Sequence, residues 1–481
     1  MLFNSFAFLG FFAAVVVVYY LAPHRWRWVL LLIASYYFYS AFQPAYLILL
    51  AYATALAYGV GRLVAGRRGT PAGRWLLAAG VIGELAVLAV FKYFNFVITS
   101  LESALTGVGP FVDAIALPRL ELLLPAGLSF YTFSAISYLV DCYRGTIEPE
   151  RHLGRLALYV AFFPKLLAGP IERAGAFLEQ IVKPIRFDPA MATLGLQLIL
   201  LGLFKKVVIA DRLAAFVDAG FTDPAFQSPV TLVVAVYFFA FQIYCDFSGY
   251  SDIAIGAAAV LGIQLMENFR RPYFARSVPE FWAGRWHISL MRWFRDYLYI
   301  PLGGNRVSTP RWYANQMTVF LVSGLWHGAN WTFVLWGGLN GLYQIVYFML
   351  ARPREWLARV LPAWLWDGLA ILVTFHLILV AWIFFRAETL SQAWTVITRI
   401  FGNLSALPGL MAAYPWTGGF WLSVGLIVVL IAIEALDELR DLWAWLAARP
   451  VVLRWGFYYA LLACLLVIGQ WSMSEFVYMQ F

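Results

Sequence analysis

Charged side chains are scarce in this chain. They make up 12% of its 481 residues, against roughly a quarter in soluble domains. That shortage, with 63% hydrophobic residues, excludes a solvated domain and points to a membrane protein of many spans. Short alternating segments of the kind that build barrels are missing, so the class is all-α. Cysteine is nearly absent: Cys142, Cys245 and Cys464 are scattered and lack disulfide or redox spacing. The five histidines (24, 152, 287, 327 and 376) show no zinc-ligand spacing. Neither a Walker A sequence, a dinucleotide fingerprint nor a Gly-x-Ser-x-Gly elbow is present. No metal and no resident cofactor are therefore expected. Basic residues outnumber acidic ones 34 to 26. At this hydrophobicity the excess reads as loop topology and contact with lipid headgroups, not nucleic-acid binding.

Apolar runs occur near 2–22, 28–42, 44–60, 75–98, 121–140, 190–209, 230–245, 315–350, 366–385, 418–436 and 454–475. The 315–350 run has room for two spans with a break at Gly337-Gly338, so about eleven or twelve transmembrane helices are predicted. One membrane-embedded domain covers residues 1–481. Arg25 and Arg27 follow the first run, Arg62, Arg67, Arg68 and Arg74 the third, and Arg144, Arg151 and Arg155 the fifth. The positive-inside rule makes those loops cytoplasmic and the N-terminus extracytoplasmic. The first run lacks a basic n-region and reads as a retained helix. Residues 156–184, 242–268 and 281–306 break the spanning pattern with proline, glycine or polar groups. Such segments are tolerated at membrane depth only where protein buries them or a cavity hydrates them. They predict re-entrant or interfacial helices around a central funnel. No internal repeat marks an inverted-repeat transporter.

His327 stands within the apolar stretch 317–342, MTVFLVSGLWHGANWTFVLWGGLNGL. An imidazole at that depth costs free energy unless it is paired or lines a cavity, so its default reading is functional. Gly324 and Gly328 bracket it at a spacing that lets a neighbouring helix approach. The bland alternative is a packed helix whose histidine bonds a facing carbonyl. Trp326 beside it, and Asn330 and Trp331 at i+3 and i+4, are placed to wall or orient the ring. His287 lies in FWAGRWHISLMRWFRDYLYIPLGGNR. Taken as one helix, that stretch puts Ser289, Arg292 and Asp296 on a polar stripe, with Arg285 a turn below and an Arg292–Asp296 pair. It reads either as an interfacial helix or as the wall of a cavity for an anionic or thioester substrate. Asp246, Ser248, Tyr250 and Asp252 form a third group in YCDFSGYSD. Its carboxylates need partners, with Arg270, Arg271, Arg285 or Arg295 as candidates. Glu84 and His376 are alone in apolar runs and read as packing residues.

The succession YCDFSGYSDIAIGAAAVLGI, NFRRPY, FWAGRWHISLMRWFRDYLYIPLGGNR and VSGLWHGANWTFVLWGGLNG resembles the membrane-bound O-acyltransferases. It is similar above all to the bacterial branch of alginate O-acetylation proteins, and more distantly to teichoic-acid D-alanyl transfer proteins. The motif core is about 241–340, and LFNSFAFLGFF and LPAGLSFYTFSAISYLVDCYRG also fit. The resemblance implies a multi-pass protein of the cytoplasmic (inner) membrane that moves an acyl group from a cytoplasmic thioester to an extracytoplasmic hydroxyl. His327 matches the family's essential histidine and His287 its second one. Arg295, Asp296 and Tyr297 fall in its WFRDY block and Asp246 in its DFSGYSD block. Where the branch commonly reads FWRRWHISLS, this chain has Ala283-Gly284 in place of one arginine and Met291 in place of serine.

The implied activity is O-acetylation of a cell-surface polysaccharide such as alginate, with acetyl-CoA as donor and an extracytoplasmic, esterase-like acetyltransferase of the same pathway as partner. The expected chemistry is His327 as the base on the acceptor hydroxyl, with His287 and nearby polar groups positioning the thioester or stabilising the oxyanion. Transfer of D-alanine in teichoic-acid modification, and a non-enzymatic transporter, are the competing readings.

Overall fold

The computed structural model describes residues 1–105, 118–471 and 476–477, and among these the regular structure is entirely helical. Seven helices are long and apolar enough to cross a membrane: Pro44–Ala65, Pro71–Leu105, Pro189–Phe221, Pro229–Val260, Ala363–Arg386, Gly418–Leu439 and Val451–Ile468. An eighth span is available if Trp331–Met349 and Ala351–Val360, bent by 64° at their junction, act as one. The number is lower than the apolar runs alone predict. Several runs form helices that are short or mixed in polarity: Phe6–Leu21, His24–Ser40 and Leu128–Arg144. Leu128–Arg144 is packed by protein over most of its length, so its serines, threonine and tyrosines never meet lipid.

Three of the long elements contain a π-helical turn: Ala89–Tyr93 inside Pro71–Leu105, Phe204–Ala210 inside Pro189–Phe221, and Arg295–Tyr299 at the end of a short helix. Such turns concentrate at functional positions in helices. Each carries a basic side chain here: Lys92, the Lys205-Lys206 pair and Arg295.

The 242–268 segment does not interrupt the bundle. Its first half continues the 32-residue helix Pro229–Val260, which packs against Pro189–Phe221. Backbones approach closely at the crossing, where a Cβ on Gly249 would lie 2.7 Å from the Gly202 carbonyl oxygen. The carboxylates take the neighbouring lysines, not the expected arginines. Lys205 Nζ lies 2.9 Å from Asp252, and Lys206 Nζ lies 2.7 Å from Asp246 and 2.8 Å from Asp211. Arg270 pairs with Glu267, and Arg271 with Asp437 and Glu438. Residues 156–184 are broken as expected, into Leu153–Ala161, Phe163–Leu166 and Ala174–Val182.

The break in the 315–350 run falls at Gly328–Asn330, between Thr309–His327 and Trp331–Met349, and Gly337-Gly338 lies within the second helix. Gly324 and Gly337 face each other across the hairpin. A Cβ on Gly324 would sit 2.3 Å from the Phe333 carbonyl oxygen, and one on Gly337 2.3 Å from that of Phe320. The glycines close the hairpin; they do not bend a helix. Gly324→Ala is expected to force the two helices apart at a cost of about 1–3 kcal/mol, as overpacking does. A lowered unfolding temperature of the detergent-solubilised protein would report it, and an unchanged one would refute the tight crossing.

Loops after the first, third and fifth runs converge on one face. The Trp28 and His152 rings are 4.6 Å apart, and Arg68 bonds the Cys142 carbonyl at 2.8 Å and Glu148 at 2.9 Å. Arg144 donates to the Asp296 carbonyl on the same face.

Candidate active site

His327 is the last residue of Thr309–His327, because Gly328 turns extended (φ −157°, ψ 145°) and ends the helix. His287 is reached differently. The expected continuous helix over 281–306 is interrupted: Val278–Gly284 stops, His287 takes a left-handed conformation (φ 44°, ψ 51°), and Ile288–Phe294 begins. A non-glycine residue held there is uncommon and must be stabilised by its surroundings. Asn268 supplies much of that support. Its carbonyl accepts from Ile288 N at 2.9 Å, its Oδ1 accepts from Ser289 Oγ at 2.9 Å, and its Nδ2 donates to Ser251 at 3.1 Å. Ser289 Oγ in turn accepts from Ile171 N at 3.0 Å.

The two imidazoles, both buried, have ring centroids 6.3 Å apart. Trp326 closes one side, edge-on to His327 at 4.9 Å and 5.9 Å from His287. Phe247 meets His287 at 4.7 Å, while Trp336 and Phe385 meet His327 at 5.0 and 5.4 Å. Two clefts approach this aromatic chamber from different heights. One is lined by Lys92, Pro125, Ser129, Phe130, Trp326 and His327 itself. The other, of about 260 Å³, carries Arg292, Arg295, Gln316 and Gln344 over a wall that includes Trp282 and Phe320. Gln316 precedes His327 by eleven helical positions, an axial rise of about 16 Å. Between that cleft and His327 stand Trp282 and Trp336, with ring centroids 5.5 Å apart.

A model of the membrane-bound O-acyltransferase family matches residues 152–385. The probable alginate O-acetylase AlgI of Pseudomonas aeruginosa is 42% identical over 411 residues, covering 83% of this chain and 75% of that protein. The chain belongs to the membrane-bound O-acyltransferase family. The peptidoglycan O-acetyltransferase of Helicobacter pylori is 35% identical over 84% of this chain and 80% of its own length. The teichoic acid D-alanyltransferase of Bacillus subtilis is 26% identical over 52% of this chain and 66% of its own.

In this membrane-bound O-acyltransferase, the remaining sequence candidates separate into supports and outliers. Ser289 and Trp326 touch the histidine pair or its backbone. The polar stripe on 281–306 does not form, because the helix breaks at His287. Asp296 pairs with Arg295 at 2.8 Å and Arg173 at 3.2 Å, and Arg292 faces the second cleft. Tyr297 donates to Asp141, and its ring lies 5.2 Å from Trp293. Trp293 stacks on Phe133 at 3.8 Å, and Phe133 lies 5.3 Å from Trp326. The WFRDY block thus anchors the far end of a ring stack that leads to the histidines.

Arg285 bonds Glu280 and Glu438, each at 2.8 Å. Asp246 bonds Lys206 and Val477 N beside a separate cavity of about 480 Å³. Tyr250 packs between Phe3 and Phe476, with centroids 4.5 and 4.7 Å away. Asn330 does not sit one turn beyond His327. The helix has ended, and Asn330 caps the next one, accepting from Thr332 N at 3.0 Å and donating to the Glu388 carbonyl at 2.8 Å. His376 bonds Tyr237 and the Leu372 carbonyl, the local role expected of it.

Sequence reasoning missed Lys92, Tyr93 and Asn268. The signal for Lys92 was available, since a lysine within the apolar run 75–98 is as costly in lipid as the histidine that drew attention.

Proposed function

We propose that this enzyme takes an acetyl group from cytoplasmic acetyl-CoA and delivers it to an extracytoplasmic hydroxyl, for O-acetylation of a cell-surface polysaccharide. The observation that carries the reading is the buried His287–His327 pair between two clefts at different depths. In the reaction, the His327 imidazole removes the acceptor's hydroxyl proton as that oxygen attacks the thioester carbonyl. The tetrahedral intermediate expels the CoA thiolate, which recovers the proton from the imidazolium. A thioester is already activated, so orientation and exclusion of water supply much of the rate. His287, held by its strained turn, positions the thioester or stabilises the oxyanion.

The basic loops share a face with Arg295–Tyr299, and the positive-inside rule makes that face cytoplasmic and the N-terminus extracytoplasmic. On this reading the protein lies in the cytoplasmic membrane and Arg292 and Arg295 receive the anionic donor. Arg292→Ala is expected to raise the KM for acetyl-CoA about tenfold with little change in kcat, as loss of a charge-assisted contact made equally in ground and transition states does. An unchanged KM would remove the donor from that cleft. The acceptor side is completed by an extracytoplasmic, esterase-like acetyltransferase that passes the group to the polymer.

The names of the alginate and peptidoglycan relatives, and their identity over most of the chain, support acetyl over D-alanyl transfer. The test is NMR of surface polymer from a deletion strain and its complemented parent, with acetyl and D-alanyl esters quantified together. Loss of acetyl ester alone supports the proposal; loss of D-alanyl ester alone overturns it.

A further inference from the structure

The Thr309–His327 helix ends inside the protein, which raises the question of what satisfies its last carbonyls. Gly324 O accepts from Gly328 N at 3.2 Å, but the extended Gly328 leaves Leu325, Trp326 and His327 beyond the helical ladder. These three oxygens are taken by two consecutive residues of another helix. Tyr93 Oη donates to Leu325 O at 2.8 Å, and Lys92 Nζ donates to Trp326 O at 2.7 Å and His327 O at 2.9 Å. Both donors lie on the π-helical turn Ala89–Tyr93. Two positions on, Asn95 exchanges hydrogen bonds of 2.7 and 2.9 Å with Leu120, at the root of the loop that enters the cleft at Pro125.

We propose that Lys92, assisted by Tyr93, is a positioning residue for acyl transfer: it fixes the carbonyl end of the helix that carries His327 and thereby aims the imidazole at the cleft. A cation is the fitting cap there, since a helix C-terminus concentrates partial negative charge. An unpaired carbonyl at this depth has no water to turn to. Lys92 also lines the cleft beside His327, so the clamp is a wall of the site as well as a brace behind it. Removing it frees the last turn, and small displacements of a reacting group are costly in rate.

The proposal rests on His327 being the base, and the experiment separates the two. Membrane vesicles from the strain that makes this protein, with its acceptor machinery in place, receive labelled acetyl-CoA as the probe. Transfer into polymer is measured for the parent protein, Lys92→Met, Lys92→Arg, Tyr93→Phe and His327→Ala, each normalised to correctly folded protein by its melting curve. Lys92→Met is expected to lower Vmax at least about tenfold with KM for acetyl-CoA within about twofold, the signature of a lost transition-state geometry. Lys92→Arg, which keeps the charge and enough donors for both carbonyls, recovers part of the rate. If Lys92→Met does not fold, Tyr93→Phe, which gives up one bond, is read in its place and should lower Vmax about threefold, again with KM unchanged. Full Vmax in the Lys92→Met protein, or a change confined to KM, overturns the clamp. Full activity in His327→Ala overturns the underlying base assignment instead.

Discussion

Replacing His327 by alanine should reduce acetyl transfer by about 10²–10⁴-fold, the usual contribution of a positioned acid–base group. The fold should survive, because the ring's neighbours Trp326, Trp336 and Phe385 are held by the hairpin and by one another. A cavity of imidazole size in this aromatic cluster lowers stability modestly compared with the loss in rate. The measurement is polymer O-acetyl content by NMR at membrane levels matched by immunoblot. Retained acetylation would move the chemistry to another residue. A stable acetyl adduct recovered on His327 would replace the base mechanism with a covalent one, since a base never bonds to the acyl carbon.

Lys206→Met should be the most destabilising of the ionic substitutions. The ammonium stands between Asp211 and Asp246 with almost no solvent exposure on any of the three. Breaking such a buried arrangement by removing one partner costs about 3–5 kcal/mol, because the remaining charges stay desolvated. Here two carboxylates are left facing each other, so the melting temperature in detergent and the amount in the membrane should both fall. Adding Asp246→Asn to Lys206→Met removes half of the repulsion and should restore part of the loss. If the double variant is no more stable than the single one, the triad is not what holds Pro189–Phe221 against Pro229–Val260.

Local signals in the sequence led to the right class and the right pair of histidines. Long apolar runs predict helices because a helix satisfies its own backbone, and an imidazole inside such a run advertises an unusual surrounding. What remained hidden was contact across distance. Asp246 and Asp252 announce a need for cations, but the nearest arginines in sequence are not the nearest in space. Lys205 and Lys206, some forty residues earlier, belong to an apolar run and were not considered. The break at His287 was equally invisible, since RWHISLMRWF has good helical spacing and only Asn268 and Ser289, acting from a distance, hold the turn. Gly337-Gly338 looked like a hinge because two glycines weaken a helix. The facing Gly324 shows that packing, not bending, put at least one of them there.

The π-helical turns at Ala89–Tyr93, Phe204–Ala210 and Arg295–Tyr299 constrain how this chain tolerates change in length. A π turn accommodates one more residue than the α turn it replaces. Deleting a single residue there would restore a regular helix and rotate everything beyond it by about 100°. In Pro189–Phe221 that rotation would swing Asp211 away from Lys206. In Pro71–Leu105 it would carry Asn95 away from the Leu120 loop. A one-residue deletion in either turn should therefore be far more damaging than a conservative replacement at the same position, although the local helix becomes more regular. These three places are where insertions and deletions are least affordable in the whole chain, and they coincide with its internal lysines and the arginine above the donor cleft.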